Sequence, residues 1–270
     1  MSYRSRWRGL IMAATMALAL GLAAFAQGYP AQAAPSARTP QPAAGARAAP
    51  HPAVLPARPD AGGGDGCNPR RANDFLTFRF DGWYRDPGTT VGGVYSDIYN
   101  YSPWVYYISA QDSAVAAWTM VDLSSNANTW AQVGWVEFPL GKRYVFTQTN
   151  NNGSLITHYF SPKPINSQAY YTTLYNNTPG HFSYQVSGST IEVDPAGFTP
   201  NEGQNFGETH SFADQMPGGY NQNEYFNDTH IYYSGGWHNF SGTVADSSTA
   251  YGYSHPSSTE MLIWDKACPN

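Results

Sequence analysis

From Phe75 onward the chain breaks into short runs in which apolar, β-branched and aromatic residues alternate with polar ones. Such runs occur at Phe75–Phe80, Trp104–Ile108, Ala116–Asp122, Trp130–Phe138, Tyr144–Thr149 and Leu155–Phe160. They continue at Tyr170–Tyr175, His181–Val186, Thr190–Val193, Phe206–Phe212 and Thr229–Tyr233. Between them stand turn signals: Asn152-Gly153, Pro179-Gly180, Ser187-Gly188 and Gly218-Gly219. No window sustains the 3.6-residue apolar period of a helix. Many short strands separated by Gly- and Pro-rich turns predict an all-β domain, an antiparallel β-sandwich or jelly roll of the concanavalin-like kind.

The pattern is different upstream. Arg4, Arg6 and Arg8 precede the apolar run Gly9–Ala26, and small residues follow at Ala31-Gln32-Ala33, so residues 1–33 read as a cleaved export signal. The run is short for a membrane span, which favours removal over retention as an anchor. Residues 34–66 are almost wholly Ala, Pro, Arg and Gly and lack the apolar area needed to fold, as expected of a tether or short pro-segment. That leaves residues 67–270 as a single domain, secreted and, after signal removal, free of the membrane. Cys67 and Cys268 bracket it, and in an exported chain they are expected to form a disulfide. Closing so long a loop restrains the unfolded chain by about 4–5 kcal/mol in the chain-entropy model.

Removing the leader and tether changes the charge. Residues 67–270 hold 8 Lys+Arg against 17 Asp+Glu, a net charge near −9. A negative surface argues against nucleic acid or an anionic membrane as partner. Only 12% of the whole chain is charged. A surface carried by amides, hydroxyls and phenols changes little when carboxylates protonate, so tolerance of acid is expected. A monomer is the default expectation.

The usual catalytic signatures are missing: no G-x-S-x-G, no H-E-x-x-H, no phosphate-binding Gly loop and no C-x-x-C. His210 and Asp214 are four apart, which on a strand is about 13 Å, so no metal site and no cofactor are expected. Two stretches hold the candidate chemistry. In Ala116–Pro139, rich in Trp, strand parity puts Trp130, Gln132, Gly134 and Val136 on one face, and Gly134 leaves room for something to approach Gln132. In Asn205–Gly219, Phe206, Glu208, His210 and Phe212 share a face, and Glu208 lies among aromatics that could desolvate it. Glu137 has the opposite parity to Gln132 and reads as outward-facing or structural. Asp194 and Asp214 read as turn residues.

These stretches resemble the glutamic peptidases, both eqolisins and neprosin-like proteins. Gln132-Val133-Gly134 is similar to the Q-x-G strand of eqolisins, with the aromatic Trp135-Val136-Glu137-Phe138-Pro139 following directly. Val133-Gly134-Trp135, then Phe206-Gly207-Glu208-Thr209 and Gln215-Met216-Pro217-Gly218-Gly219, are similar to the A-G-W, G-G-E-V and Q-M-G-S-G segments of neprosin-like proteins. The resemblance implies a sandwich with a two-residue acid-active site and a polypeptide substrate. Glu208 would be the general base that activates water. Gln132 would orient that water and donate its amide N–H to the developing oxyanion. Trp118, Trp130, Trp135 and His210 would line the groove. The first position is glutamine, as in eqolisins, where neprosin-like proteins carry glutamate, and the 33-residue tether replaces their folded pro-domain. Two other classes fit an aromatic-rich β domain: a carbohydrate-binding or glycan-active jelly roll, which as a glycosidase would need two carboxyls at fixed spacing, and a non-catalytic surface protein.

Overall fold

The computed structural model describes Pro69 and residues 79–100, 102–106, 113–126, 128–160, 167–178, 180–219, 222–246 and 248–268. The expected export signal and tether, and Cys67 with its expected disulfide, lie outside the described residues. So do Phe75–Phe78 and Ile108 of the expected strands. Among the described residues no helix is long and apolar enough to cross a membrane.

The strands are β1 (Arg79–Arg85), β2 (Val91–Tyr99), β3 (Val115–Asp122), β4 (Thr129–Phe138), β5 (Lys142–Asn151), β6 (Ser154–Tyr159), β7 (Gln168–Asn177) and β8 (Gly180–Val186). They continue with β9 (Ser189–Pro195), β10 (Glu202–Thr209), β11 (Gly218–Gly219), β12 (Gln222–Tyr233), β13 (Gly236–Asn239), β14 (Thr243–Asp246), β15 (Tyr251–Ser257) and β16 (Glu260–Asp265). One seven-stranded sheet runs β14-β1-β10-β3-β4-β5-β6, and a second runs β15-β16-β12-β2-β7-β8-β9, with β11 and β13 attached to β12. The described pairings are antiparallel, so the domain is an antiparallel β-sandwich, as the alternation predicts.

Tight hairpins set the register. Asn152-Gly153 joins β5 to β6, Ser187-Gly188 joins β8 to β9, and Ser234-Gly235 joins β12 to β13, each with both residues at positive φ. That backbone matches the right-handed twist of the flanking strands. Two expectations change. Gly218-Gly219 is not a turn but the short strand β11, paired with β12. The segment around Trp104 is irregular, because side chains take its amides: Trp104 N donates to Gln215 Oε1 and Tyr106 N to Asp214 Oδ1.

The two sheets differ in a way that matters for function. In β7 burial alternates, with Ala169, Tyr171 and Thr173 inside and Gln168 and Tyr170 out, the pattern of a sheet wet on one face. In β3 and β10 every residue is buried, and in β4 all but Phe138. One face of the seven-stranded sheet packs against the other sheet through Trp83, Val115, Ala117, Val133 and Trp135, against Val94, Tyr171, Phe182 and Ile231. Its far face carries a second cluster of Phe80, Trp118, Met120, Trp130, Val136, Phe146 and Phe206. The candidate residues lie on that far face.

Cys268 is buried, and no described cysteine is free.

Candidate active site

Strand registers divide the far face into four cross-strand rows. The first holds Phe80, Glu208, Ala116, Val136 and Tyr144. The second holds Gly82, Phe206, Trp118, Gly134, Phe146 and Tyr159. The third holds Tyr84, Gln204, Met120, Gln132, Gln148 and Thr157. The fourth holds Glu202, Asp122, Trp130, Asn150 and Leu155. Gln132 and Glu208 therefore share a face.

The second row is the floor. Trp118 and Phe206 stand side by side, ring centroids 5.4 Å apart, with a glycine on either flank. A Cβ on Gly134 would come within 2.1 Å of the Ala117 carbonyl oxygen and 2.7 Å of Trp118 Cα, and one on Gly82 within 2.7 Å of the Phe206 ring. The space that Gly134 leaves open is thus filled by Trp118.

Glu208 is buried, and both of its oxygens are engaged: Trp118 Nε1 donates to Oε2 at 2.9 Å, and His210 Nε2 lies 3.1 Å from Oε1. His210 lies just past β10 but keeps its place because its backbone N–H donates to Ala114 O. An indole and an imidazole therefore hold the carboxyl in one orientation, as a proton-transferring group requires.

Gln132 is buried two strands away on β4, and its Nε2 donates to Gln148 Oε1 at 2.8 Å. It is level with Gln204 on β10, four residues from Glu208, or about 13 Å of strand, with β3 between them. Trp118 is the diagonal neighbour of both. The backbones are thus well apart, and only side chains leaning across Trp118 can serve one substrate group.

Trp118, Trp130 and His210 all lie on or at the rim of this face. Trp135 does not, which corrects its reading as a groove residue. As an odd-numbered residue of β4 it points between the sheets, wholly buried, with Nε1 donating to Tyr99 O. Glu137 shares that parity. It is not outward-facing but buried, with Ser102 Oγ donating to both carboxyl oxygens. Asp194 serves a network rather than a turn: Thr149 Oγ1 donates to it at 2.6 Å and His158 Nε2 lies 3.5 Å away.

A second acidic constellation occupies the fourth row, and the sequence reading missed it. Gln204 Nε2 donates to Asp122 Oδ2 at 3.0 Å and to Glu202 Oε1 at 2.8 Å. Burial pushes Glu202 up to about 7, with the Gln204 hydrogen bond pulling down and the Asp86 charge adding. Burial raises Asp122 well above the carboxylate range as well, with the Glu202 charge next in effect. The pair holds protons that free carboxyls would have lost. Counting back by twos from Glu208 places Gln204 and Glu202 on the same face, once β10 is known to begin at Glu202.

Among the described residues, one group could hold a metal ion: His158, Glu192 and Asp194, whose ligand atoms lie within 4.8 Å of one another. It sits where edge strands β6 and β9 of opposite sheets meet. Hydrogen bonding to Asp194 raises the His158 pKa, opposed by burial. The group stands as an imidazole held between two carboxylates.

In comparisons with known proteins, no family model matches and no curated protein matches in sequence. Solved structures do match. The chain is similar to scytalido-glutamic peptidase, solved with a peptide-based transition-state analog, at 10% identity and TM-score 0.54, over 72% of this chain and 100% of that one. SCP-B, a member of the eqolisin family of peptidases in complex with the tripeptide Ala-Ile-His, matches over the same shares at 10% identity and TM-score 0.47. A carbohydrate-binding module from Bacillus subtilis matches over 45% of this chain and 69% of that one, at 14% identity and TM-score 0.29. The likeness to scytalido-glutamic peptidase, spanning that enzyme's full length, is one of fold: this chain adopts the glutamic-peptidase sandwich.

Proposed function

We propose that the protein is a secreted, acid-active endopeptidase of the glutamic type, with Glu208 as its base and Gln132 as its amide. The observation that carries this reading is the placement of Gln132, Trp118 and an oriented Glu208 on one buried face of the seven-stranded sheet. Glu208 takes a proton from water as the water oxygen attacks a peptide carbonyl, then returns it to the amine as the C–N bond breaks. The Trp118 and His210 contacts fix which way the carboxyl faces. The amide of Gln132 supplies polar contact that does not depend on protonation, which suits an enzyme working in acid. A neutral amide combined with one carboxyl resembles the eqolisin combination rather than the two-glutamate one of neprosin-like proteins.

The test uses the exported chain, incubated in acid so that residues 34–66 can be removed. Denatured casein should be digested near pH 3–5, unaffected by pepstatin or EDTA, with activity lost in Glu208→Gln and Gln132→Ala. A wild type inert across pH 2–8 would overturn the proposal.

One observation favours a glycan-active reading. Asp122 and Glu202 accept from a single nitrogen, which holds their accepting oxygens within about 6 Å, close to the carboxyl spacing of retaining glycosidases. Release of reducing ends from a polysaccharide panel, abolished by Glu202→Gln, would establish that reading instead.

A further inference from the structure

At one edge of the sandwich the last strands of the two sheets face each other: β6 ends the seven-stranded sheet and β9 ends the other. Register fixes what they present. His158 is opposed to the buried Thr147, and Glu192 and Asp194 to the buried Tyr184 and Phe182. All three therefore point toward the space between the sheets. Glu192 and Asp194, two apart on one strand, share a face of β9. The imidazole of His158 thus meets two carboxylates from the opposite sheet. Its Nε2 lies 3.5 Å from Asp194 Oδ1, and its Nδ1 lies 3.7 Å from Glu192 Oε2. One ligand atom from each residue, taken together, falls within 4.8 Å of the other two.

The buried side of this group is fixed from outside it. Thr149 Oγ1 donates to Asp194 Oδ2 at 2.6 Å, and the Tyr184 hydroxyl hydrogen-bonds the same Oγ1. Asp194 is 4% exposed, and its other oxygen is left turned toward His158. A hydrogen-bonded outer layer that aims a carboxylate is what a metal ligand needs. The opposite side is open: the side chains of His158 and Glu192 are 38% and 29% exposed, so an ion can enter and they have room to close on it. Bonds of about 2.0–2.2 Å to nitrogen and oxygen put the donors of a tetrahedral site about 3.4 Å apart. The His158–Asp194 separation already matches that edge. Glu192, the most adaptable of the three, has to swing inward by about 1–1.5 Å to complete the set.

We infer that His158, Glu192 and Asp194 form a binding site for a divalent transition metal of the zinc kind, which ties the two sheets together at this edge. The ligand set selects the class of ion. Imidazole suits zinc and its neighbours, whereas calcium and magnesium are held by oxygen alone. Three protein donors leave a fourth position for water. The inference is independent of the peptidase reading, since β6 stands four strands along the sheet from β10, which carries Glu208. Such ligands bind only when deprotonated, so casein digestion at pH 3–5 stays insensitive to EDTA. The expectation of no metal was drawn from His210 and Asp214. His158 and Glu192-Val193-Asp194 are distant in the chain and meet only across the sandwich.

The test strips the exported chain with EDTA, moves it to chelator-free buffer at pH 7.5 and adds Zn2+ alone. The stripped protein is the metal-free reference, in which His158 keeps its pairing with the two carboxylates. Equilibrium dialysis with metal analysis should find one Zn2+ per chain in wild type. At Zn2+ about 100-fold above its dissociation constant, the thermal midpoint should rise by about 5–10 °C. His158→Ala and Glu192→Gln alter partly exposed side chains, and near-UV circular dichroism of the stripped variants checks that they fold. Each should bind Zn2+ at least about tenfold more weakly. Thr149→Val, which removes only the donor to Asp194, should weaken Zn2+ about 10–100-fold. Ca2+ at the same concentration should leave the midpoint unmoved. The inference fails if wild type takes up no Zn2+, if the folded variants bind it as tightly as wild type, or if Ca2+ raises the midpoint as much as Zn2+.

Discussion

Glu202 gives the most quantitative prediction. It is 5% exposed, accepts from Gln204 and lies beside Asp122, and burial lifts it from an ordinary 4.5 to about 7. Between those values the folded chain keeps a proton that the unfolded chain releases. More protons bound when folded means stability falls as pH rises through that window. The contribution is fully present below about pH 4.5 and gone above about pH 7. At about 1.4 kcal/mol per pH unit, a rise from 4.5 to about 7 corresponds to about 3 kcal/mol, a large share of a typical 5–15 kcal/mol total. Glu202→Gln keeps a carbonyl acceptor for Gln204 but cannot ionise. Urea unfolding followed by tryptophan fluorescence at pH 4.5, 5.5, 6.5 and 7.5 should find the two proteins close at the lowest pH. They should diverge as pH climbs, with the variant more stable by about 3 kcal/mol at pH 7.5. Parallel curves, within about 0.5 kcal/mol of each other throughout, would refute the argument, because the Glu202 charge also raises Asp122 and its removal in the variant adds to the divergence in the same direction.

Further expectations follow from the same geometry. Gly134→Ala should cost about 1–3 kcal/mol or more in chemical denaturation, because its Cβ meets β3 backbone at 2.1 Å, where little can yield. Trp118→Phe keeps an aromatic ring on this face but removes the N–H that holds Glu208; on the proposed function, casein digestion should slow about tenfold, in line with the loss of a buried hydrogen bond. His158→Ala should destabilise more at pH 5 than at pH 8 in thermal melts. The His158 pKa is raised by Asp194, so its pairing is full below the unfolded histidine value and lost above the folded one.

The sandwich and much of the site were legible because strands announce themselves by period. The parity of β4 alone put Trp130, Gln132, Gly134 and Val136 together, and the registers agree. What escaped notice did so for physical reasons. Gly92-Gly93 looks like a turn, yet it lies inside β2, where a Cβ on Gly92 would strike the Tyr232 ring at 2.5 Å. Strand β15 contains Pro256, which reads as a break but is tolerated on an edge strand. Strand β10 begins at Glu202, four residues before the apolar signal, because its polar start is buried against Asp122 rather than exposed. That hidden start also concealed the acidic pair. The hydrogen bond between Gln132 and Gln148 was hidden for a different reason: it depends on the register of β4 against β5.

Strands β3 and β10 are buried on both faces along their whole length, and β4 along nearly all of it. If the protein is the endopeptidase proposed above, it is surrounded by copies of itself, each a possible substrate. To be cut, a segment must first leave its sheet and lie extended in another molecule's groove, and segments with the most buried contacts open least often. The strands that carry Glu208, Trp118 and Gln132 are therefore the last this molecule would surrender to its neighbours. First nicks should fall on the wetter sheet, at ends such as β9 and β13, and a molecule nicked there would still hold the face that carries the candidate residues intact.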